Sequence, residues 1–204
     1  MITTHKTTSL QNSLLSARLH DPFSYLGVHR EKGRTLVRVF RPHDVNVWIR
    51  TTIGYEPMSR IHANGIFEWR GEFPPEMPYR LRIEAKGDTQ SVYETYDAYA
   101  FPLQISDHDV YLFNEGKLRQ AYRMLGAQRV RNSGVDGVRF SVWAPNAGRV
   151  SVVGDFNRWD GRIHPMAVHH ASGVWELFIP DLPPNAVYKY EIRNRDSGEI
   201  VLKT

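Results

Sequence analysis

The chain has 204 residues, 26 Lys and Arg against 22 Asp and Glu, and a formal net charge of +4, a length that suits one large domain or two of about 100 residues each. The absence of cysteine excludes a disulfide framework and any thiolate metal site. Met1 to His20 holds no apolar core of signal-peptide length, and no run approaches the ~20 apolar residues of a membrane span, so the expectation is a cytoplasmic protein with no membrane partner.

In chain order, a helix is expected over 9–19, ahead of Asp21-Pro22. From Leu36-Val37-Arg38-Val39-Phe40 onward the segments are short, β-branched or aromatic, and alternate in polarity. Gly33, Pro42, Asn64-Gly65, Pro74-Pro75 and Gly87-Asp88 part them. The arginines of this stretch are scattered singly along the strands and form no dense block, which argues against a nucleic-acid partner. A second helix is expected over 114–125, with Asn114 as its cap, Glu115 at its positive end, Leu118, Ala121, Tyr122 and Leu125 on one face, and Gly126 to end it. Short strands resume after it, punctuated by Asn146, Gly154, Gly161, Pro183-Pro184 and Ser197-Gly198.

The two runs of strands are copies of one pattern. Val39-Phe40-Arg41-Pro42 returns as Val142-Trp143-Ala144-Pro145, and Val45-Asn46-Val47 as Val150-Ser151-Val152. Gly65-Ile66-Phe67-Glu68-Trp69 returns as Gly173-Val174-Trp175-Glu176-Leu177, and Tyr79-Arg80-Leu81-Arg82-Ile83 as Tyr188-Lys189-Tyr190-Glu191-Ile192. Each copy is longer than a solenoid repeat and reads as a domain. Short strands with regular turn signals mean a sandwich or a barrel, and the fold class expected is all-β: two tandem immunoglobulin-like β-sandwiches, 1–128 and 129–204, joined by a short helix. Val201-Leu202-Lys203-Thr204 matches Val92-Tyr93-Glu94-Thr95, after which the first copy runs on; the second copy is therefore expected to be truncated at its last strand.

Among residues that could carry chemistry, Trp159 stands out. It lies in Gly154-Asp155-Phe156-Asn157-Arg158-Trp159-Asp160-Gly161, a turn-rich stretch expected at the surface. A tryptophan there offers an exposed flat apolar face; the alternative is packing on a neighbouring domain. Trp48, Trp69, Trp143 and Trp175 sit in alternating strand patterns and are expected to fill the cores. Asp155 and Asp160 read as turn residues rather than a catalytic pair. His169-His170 would point to opposite faces of a strand with no third ligand nearby, so neither a metal nor a cofactor is expected.

The second copy resembles the family 48 carbohydrate-binding module of bacterial glycogen branching enzymes. The resemblance rests on Phe140 to Ala147, Val150 to Gly161, His164-Pro165-Met166, Gly173 to Pro180, and Tyr188 to Ile192. The first copy resembles the extra N-terminal domain of those enzymes, through His20-Asp21-Pro22-Phe23, Leu26-Gly27, Phe40-Arg41-Pro42 and Asp97-Ala98-Tyr99-Ala100-Phe101-Pro102. A proline is usual in the family where Ala98 stands. The resemblance implies a part of a 1,4-alpha-glucan branching enzyme of glycogen biosynthesis, a glycosyltransferase that cuts an α-1,4 chain and transfers the piece to a 6-hydroxyl. It implies α-glucan (glycogen, maltooligosaccharide) as partner, with Trp159 as stacking platform and Lys189 contacting sugar hydroxyls. A second tryptophan frequent in glycogen-binding relatives is replaced near Ile200 by no aromatic. Retaining glycosyl transfer needs two carboxylates about 5–5.5 Å apart. In the family these stand on a (β/α)8 barrel, whose motifs do not occur here and which would begin after Thr204. The 204 residues alone are therefore expected to be inactive. A stand-alone glycogen-binding module and a purely structural scaffold are the alternatives.

Overall fold

The computed structural model describes residues 2–72, 74–87, 92–170 and 172–204, and of residues 2–6 the backbone alone. Asp88, of the expected Gly87-Asp88 turn, lies outside them. Internal contacts divide the chain into two compact units, Tyr25–Phe101 on one side and Met1–Ser24 with Pro102–Thr204 on the other.

Helix α1 (Ile2–Leu15) opens the chain. It ends four residues short of the expected Leu19: Ala17 takes a left-handed backbone (φ 55°) and the Arg18 N–H closes onto Ser13 O at 2.7 Å. That closure is a helix stop made without glycine.

The Tyr25–Phe101 unit is built of β1 (Gly27–Glu31), β2 (Arg34–Phe40), β3 (Asp44–Thr51), β4 (Gly54–Pro57), β5 (Ser59–His62), β6 (Ile66–Gly71), β7 (Arg80–Ala85) and β8 (Val92–Tyr96). They form two antiparallel sheets, in the orders β1-β2-β6-β5 and β4-β3-β7-β8. Alternate residues such as Val37, Val39, Val47, Ile49, Leu81 and Ile83 are buried, as inner faces of a sandwich require. The same sheet buries Arg38, whose Nε donates to Glu68 at 2.8 Å, a pair set opposite one another by the β2–β6 register.

The other unit continues with α2 (Asp107–Asn114), α3 (Ala121–Met124), β9 (Gly126–Asn132), β10 (Val135–Trp143), β11 (Ala147–Gly154), β12 (Ala167–His169), β13 (Val174–Pro180), β14 (Tyr188–Asn194) and β15 (Ile200–Lys203). Its sheets run β12-β13-β10-β9 and β11-β14-β15. Placed beside the first unit, β9, β10, β13 and β12 take the places of β1, β2, β6 and β5, while β11, β14 and β15 take those of β3, β7 and β8. The internal repeat is thus a repeat of sandwich topology, and the all-β expectation holds. The 128/129 boundary read from the sequence falls inside β9.

The helix expected over 114–125 does not form. α2 ends at Asn114, its expected cap, and Ser106 caps it instead, accepting from the Asp109 N–H at 3.1 Å while donating to Asp109 Oδ2 at 2.7 Å. Gly116 (φ 66°) breaks the chain direction before the short α3 begins. Of the residues expected on one helix face, Leu118 and Leu125 pack with Phe113 around Ile105, Val110, Met124 and Val174, whereas Tyr122 is exposed.

A further correction concerns Trp143, which is 55% exposed, whereas Trp175 is 2% exposed. The β10–β13 register explains this: Val142 lies opposite Trp175 and Trp143 opposite Val174. The two tryptophans therefore have opposite parity and cannot share the inner face. Trp143 sits on the outer face, held by its indole N–H on Ser172 O (3.0 Å) and edge-on to Phe113.

Candidate functional site

Where the first unit extends its sheet with β4, the second inserts the segment 155–166. Its end runs along the free edge of β11: Val152 N–H donates to His164 O at 3.1 Å, Met166 N–H to Val150 O at 2.9 Å, and Ser151 bridges to Pro165. Its start is pinned by Asn157, a buried side chain whose Nδ2 donates to Val152 O at 2.8 Å and whose Oδ1 accepts from the Gly154 N–H at 2.9 Å. His164 Nδ1 lies 2.9 Å from the same amide.

Between these anchors the backbone turns through Arg158 (φ 56°) and Trp159 (φ 60°), two consecutive non-glycine residues in left-handed conformation. Such residues persist where the surroundings over-determine them. Here Trp159 N–H donates to Gly154 O (2.9 Å), its indole Nε1–H to Asp155 Oδ1 (2.8 Å), and Arg162 makes a two-pronged pair with Asp160 (2.9 and 2.7 Å). That carboxylate raises the Arg162 pKa above its usual value. Asp155 and Asp160 are thereby both accounted for as loop-building groups. Trp159 is 39% exposed, so a tied-down loop presents this aromatic residue to solvent.

A buried arginine supports the loop from below. Arg149 donates to Ser151 Oγ, to Glu191, and to Gly161 O at 2.8 Å. Gly161 is required by this contact, since a Cβ there would run into the Glu191 carboxylate.

Lys189 lies on β14 opposite Val153, as Glu191 lies opposite Ser151. Residues two apart on a strand share a face, so Lys189 points to the side on which Gly161 meets Arg149 and Glu191. The loop bearing Trp159 and the side chain of Lys189 therefore occupy the same outer face of β11-β14-β15. Glu191 is taken by Arg149, and Lys189 pairs with no carboxylate among the described residues. Tyr190, of opposite parity, faces the core, where burial and then the neighbouring Tyr188 raise its pKa. Ile200, opposite Arg193, is on the Lys189 face and 46% exposed, an aliphatic side chain where a second platform would stand.

In the first unit the corresponding aromatic, Tyr55 on β4, carries the Arg82 guanidinium 3.9 Å from its ring centroid. That ring face is occupied. His169 turns inward to Glu176 (Nε2–Oε2 2.8 Å) while His170 is exposed, so the two adjacent histidines diverge. No group of three or more His, Asp or Glu among the described residues is placed to hold a metal ion, and no helix among them is long and apolar enough to cross a membrane.

The second unit is a β-sandwich of a known class of module: residues 124–204 match Carbohydrate-binding module 48 (Isoamylase N-terminal domain). Residues 7–99 match the N-terminal domain of alpha-1,4-glucan branching enzyme GlgB, and the chain belongs to the N-terminal region of that enzyme family. The 1,4-alpha-glucan branching enzyme of Nitrosospira multiformis is 63% identical over 195 residues, covering 95% of this chain and 26% of the relative. That of Nitrosomonas europaea is 64% identical, covering 96% of this chain and 26% of its own length. That of Methylobacillus flagellatus is 51% identical over 204 residues and is covered to 28%. The chain thus spans about a quarter of the length of these relatives. Among solved structures, pullulanase type I from Bacillus subtilis aligns with 87% of this chain and 24% of its own at 15% identity and a TM-score of 0.31, too distant to carry an argument.

Proposed function

We propose that this chain is the α-glucan-binding and supporting part of a 1,4-alpha-glucan branching enzyme of glycogen biosynthesis, acting in the cytoplasm. The observation that carries the reading is the pinned loop that presents Trp159 on the face bearing Lys189, which pairs with no carboxylate among the described residues. The indole stacks on the C–H face of a glucose unit, and the ammonium donates to its hydroxyls. One aromatic platform with no second at Ile200 makes a weak site; stacking of this kind contributes about 1–3 kcal/mol by analogy with base–aromatic stacking. Glycogen compensates by offering many chain ends to one module.

Branch formation itself is assigned to a (β/α)8 barrel elsewhere in the full-length enzyme, which these two sandwiches brace. The 204 residues are expected to form no α-1,6 branches by themselves.

The test is the mobility of the purified chain in native gels with and without glycogen, beside Trp159→Ala and Lys189→Ala. Retardation by glycogen that is lost in Trp159→Ala and reduced in Lys189→Ala supports the reading. A folded chain whose mobility glycogen does not change refutes it and leaves the scaffold role.

A further inference from the structure

On the unit formed by Met1–Ser24 and Pro102–Thr204, two neighbouring cavities of about 640 and 380 Å³ share Gly148 and Arg195 in their walls and form one groove. The first is also lined by His20 and His170, the second by Arg18 and Arg193. Gly148 leaves the floor open, since a Cβ there would stand 3.2 Å from the Arg195 Cα.

The charge of this groove is not neutralised. Among the described residues, every ion pair lies elsewhere: none involves Arg18, Arg193 or Arg195. Arg195 Nη2 reaches only the carbonyls of Pro145 and Ala147, each at a long 3.4 Å. Asp196 is the single carboxylate in the wall, so three guanidiniums and two imidazoles meet one acid. Three other arginines of this unit are matched to acids: Arg131 to Asp136, Arg149 to Glu191 and Arg162 to Asp160. Arginines that line one groove without carboxylate partners suit a phosphate, which takes paired N–H donors from their planar forks. The wall is also partly apolar, through Pro145 and Val168, and the volume exceeds that of a bare phosphate ion. Trp159 and Lys189 line neither cavity, although Arg193 shares the Lys189 face of β14, so the groove is distinct from the Trp159 loop.

We infer that the groove between Arg18, His20, His170, Arg193 and Arg195 binds a phosphorylated sugar, its phosphate held by Arg18, Arg193 and Arg195 and its ring lying over the Pro145–Val168 wall. The phosphate is carried either on a free sugar or on a glucan chain.

Calorimetric titration of the intact chain tests this with glucose 6-phosphate, glucose, inorganic phosphate and phosphorylated amylose as probes. Saturable binding of glucose 6-phosphate is expected, with none for glucose at the same concentration, and with weakening as salt is raised. Arg195→Gln and Arg18→Gln, checked for an unchanged melting temperature, weaken it by about tenfold or more, as loss of hydrogen bonds to a charged group implies. Trp159→Ala leaves it unchanged. Should Arg195→Gln unfold, Gly148→Val tests the same groove by filling it. In the Trp159→Ala chain, which lacks the proposed glucan platform, tighter binding of phosphorylated amylose than of glucose 6-phosphate assigns the phosphate to a glucan, and the reverse assigns it to a free sugar. Absence of binding, equal binding of glucose, inorganic phosphate binding as tightly as the sugar phosphate, or full affinity in folded Arg18→Gln and Arg195→Gln would each overturn the inference.

Discussion

Asp155 takes the indole N–H of Trp159 at 2.8 Å, four residues back along the same loop. The bond fixes the plane of an exposed aromatic ring, so the glucose unit proposed to stack there would meet a surface already oriented. Asp155 is itself exposed, and its loss leaves the core untouched. Asp155→Ala is therefore expected to keep the fold and weaken glycogen retardation by about two- to tenfold, the cost of ordering one side chain on binding. Trp159→Ala is expected to weaken it further. Quantitative affinity electrophoresis over a glycogen series checks the order, and an Asp155→Ala chain that binds like wild type would remove the orienting role.

Asp97 and Tyr79 give the Tyr25–Phe101 unit a pH dependence of unusual sign. Tyr79 Oη donates to Asp97 Oδ2. Burial lifts the Asp97 pKa from 3.8 to about 6, against the lowering pull of that hydrogen bond. The folded state thus holds this proton more tightly than the unfolded chain does, so the group's contribution is most favourable at low pH. It is lost as pH rises from about 4 to 6 and is flat above. Wild type minus Asp97→Asn is expected to fall over that window by at most about 3 kcal/mol. Amide exchange in β7 and β8 of both chains at pH 4 to 7 measures it; a difference independent of pH would exclude Asp97 as the group.

Much of this architecture was legible in the residues because the repeated segments are the strands themselves. Val39 with Val142 and Tyr79 with Tyr188 fall at matching places in the two sandwiches. What misled was parity and capping. Trp143 has the composition of a core residue, but only its register against Val174 shows that it faces outward. Leu118, Ala121, Tyr122 and Leu125 have helical spacing, yet Ser106 and Asp109 form the stronger start signal, eight residues before the expected Asn114 cap, and Gly116 ends that helix before the apolar face begins. Trp159 and Lys189 were each nameable from sequence. Their placement on one face depends on Asn157 and Arg149, whose roles as anchors no spacing rule reveals, although an Asn and a Gly bracketing a loop tryptophan hint at a built turn. The groove cations lie far apart in sequence, from Arg18 to Arg195, and only folding collects them.

Glu176 is fully buried and accepts from the backbone N–H of Gln104 (2.6 Å) and of Ile105 (3.1 Å), with His169 Nε2 at 2.8 Å. It ties the chain entering at Pro102 to the outer face of β13, on which the Ile105–Val110–Met124 cluster then packs. Glu176→Gln keeps the shape and loses the charge and one acceptor. A destabilisation of about 1–3 kcal/mol is expected, the cost of leaving a buried donor unpaired. Urea unfolding followed at Trp175 reads it. A variant as stable as wild type would show that the segment 102–124 is held without the Glu176 charge.

Gly161 and Arg149 supply the sharpest separation between loop geometry and ring chemistry. The loop stays against the sheet because Gly161 has no side chain and its carbonyl takes an Arg149 N–H at 2.8 Å. Gly161→Ala forces a methyl toward the Glu191 carboxylate, so either the loop lifts or the buried pair opens. Overpacking of this kind costs about 1–3 kcal/mol, and opening the pair would leave charge without a partner. Gly161→Ala is expected to lower the melting temperature and weaken glycogen retardation together, although Trp159, Asp155 and Lys189 are all still present. Trp159→Phe, by contrast, is expected to weaken binding with little change in melting temperature, because a smaller ring remains on an undisturbed loop. Both variants are read by thermal denaturation and affinity electrophoresis on one preparation. If Gly161→Ala binds glycogen as wild type does, the pinned geometry of the loop has no part in recognition, and an exposed indole anywhere on that face would serve as well.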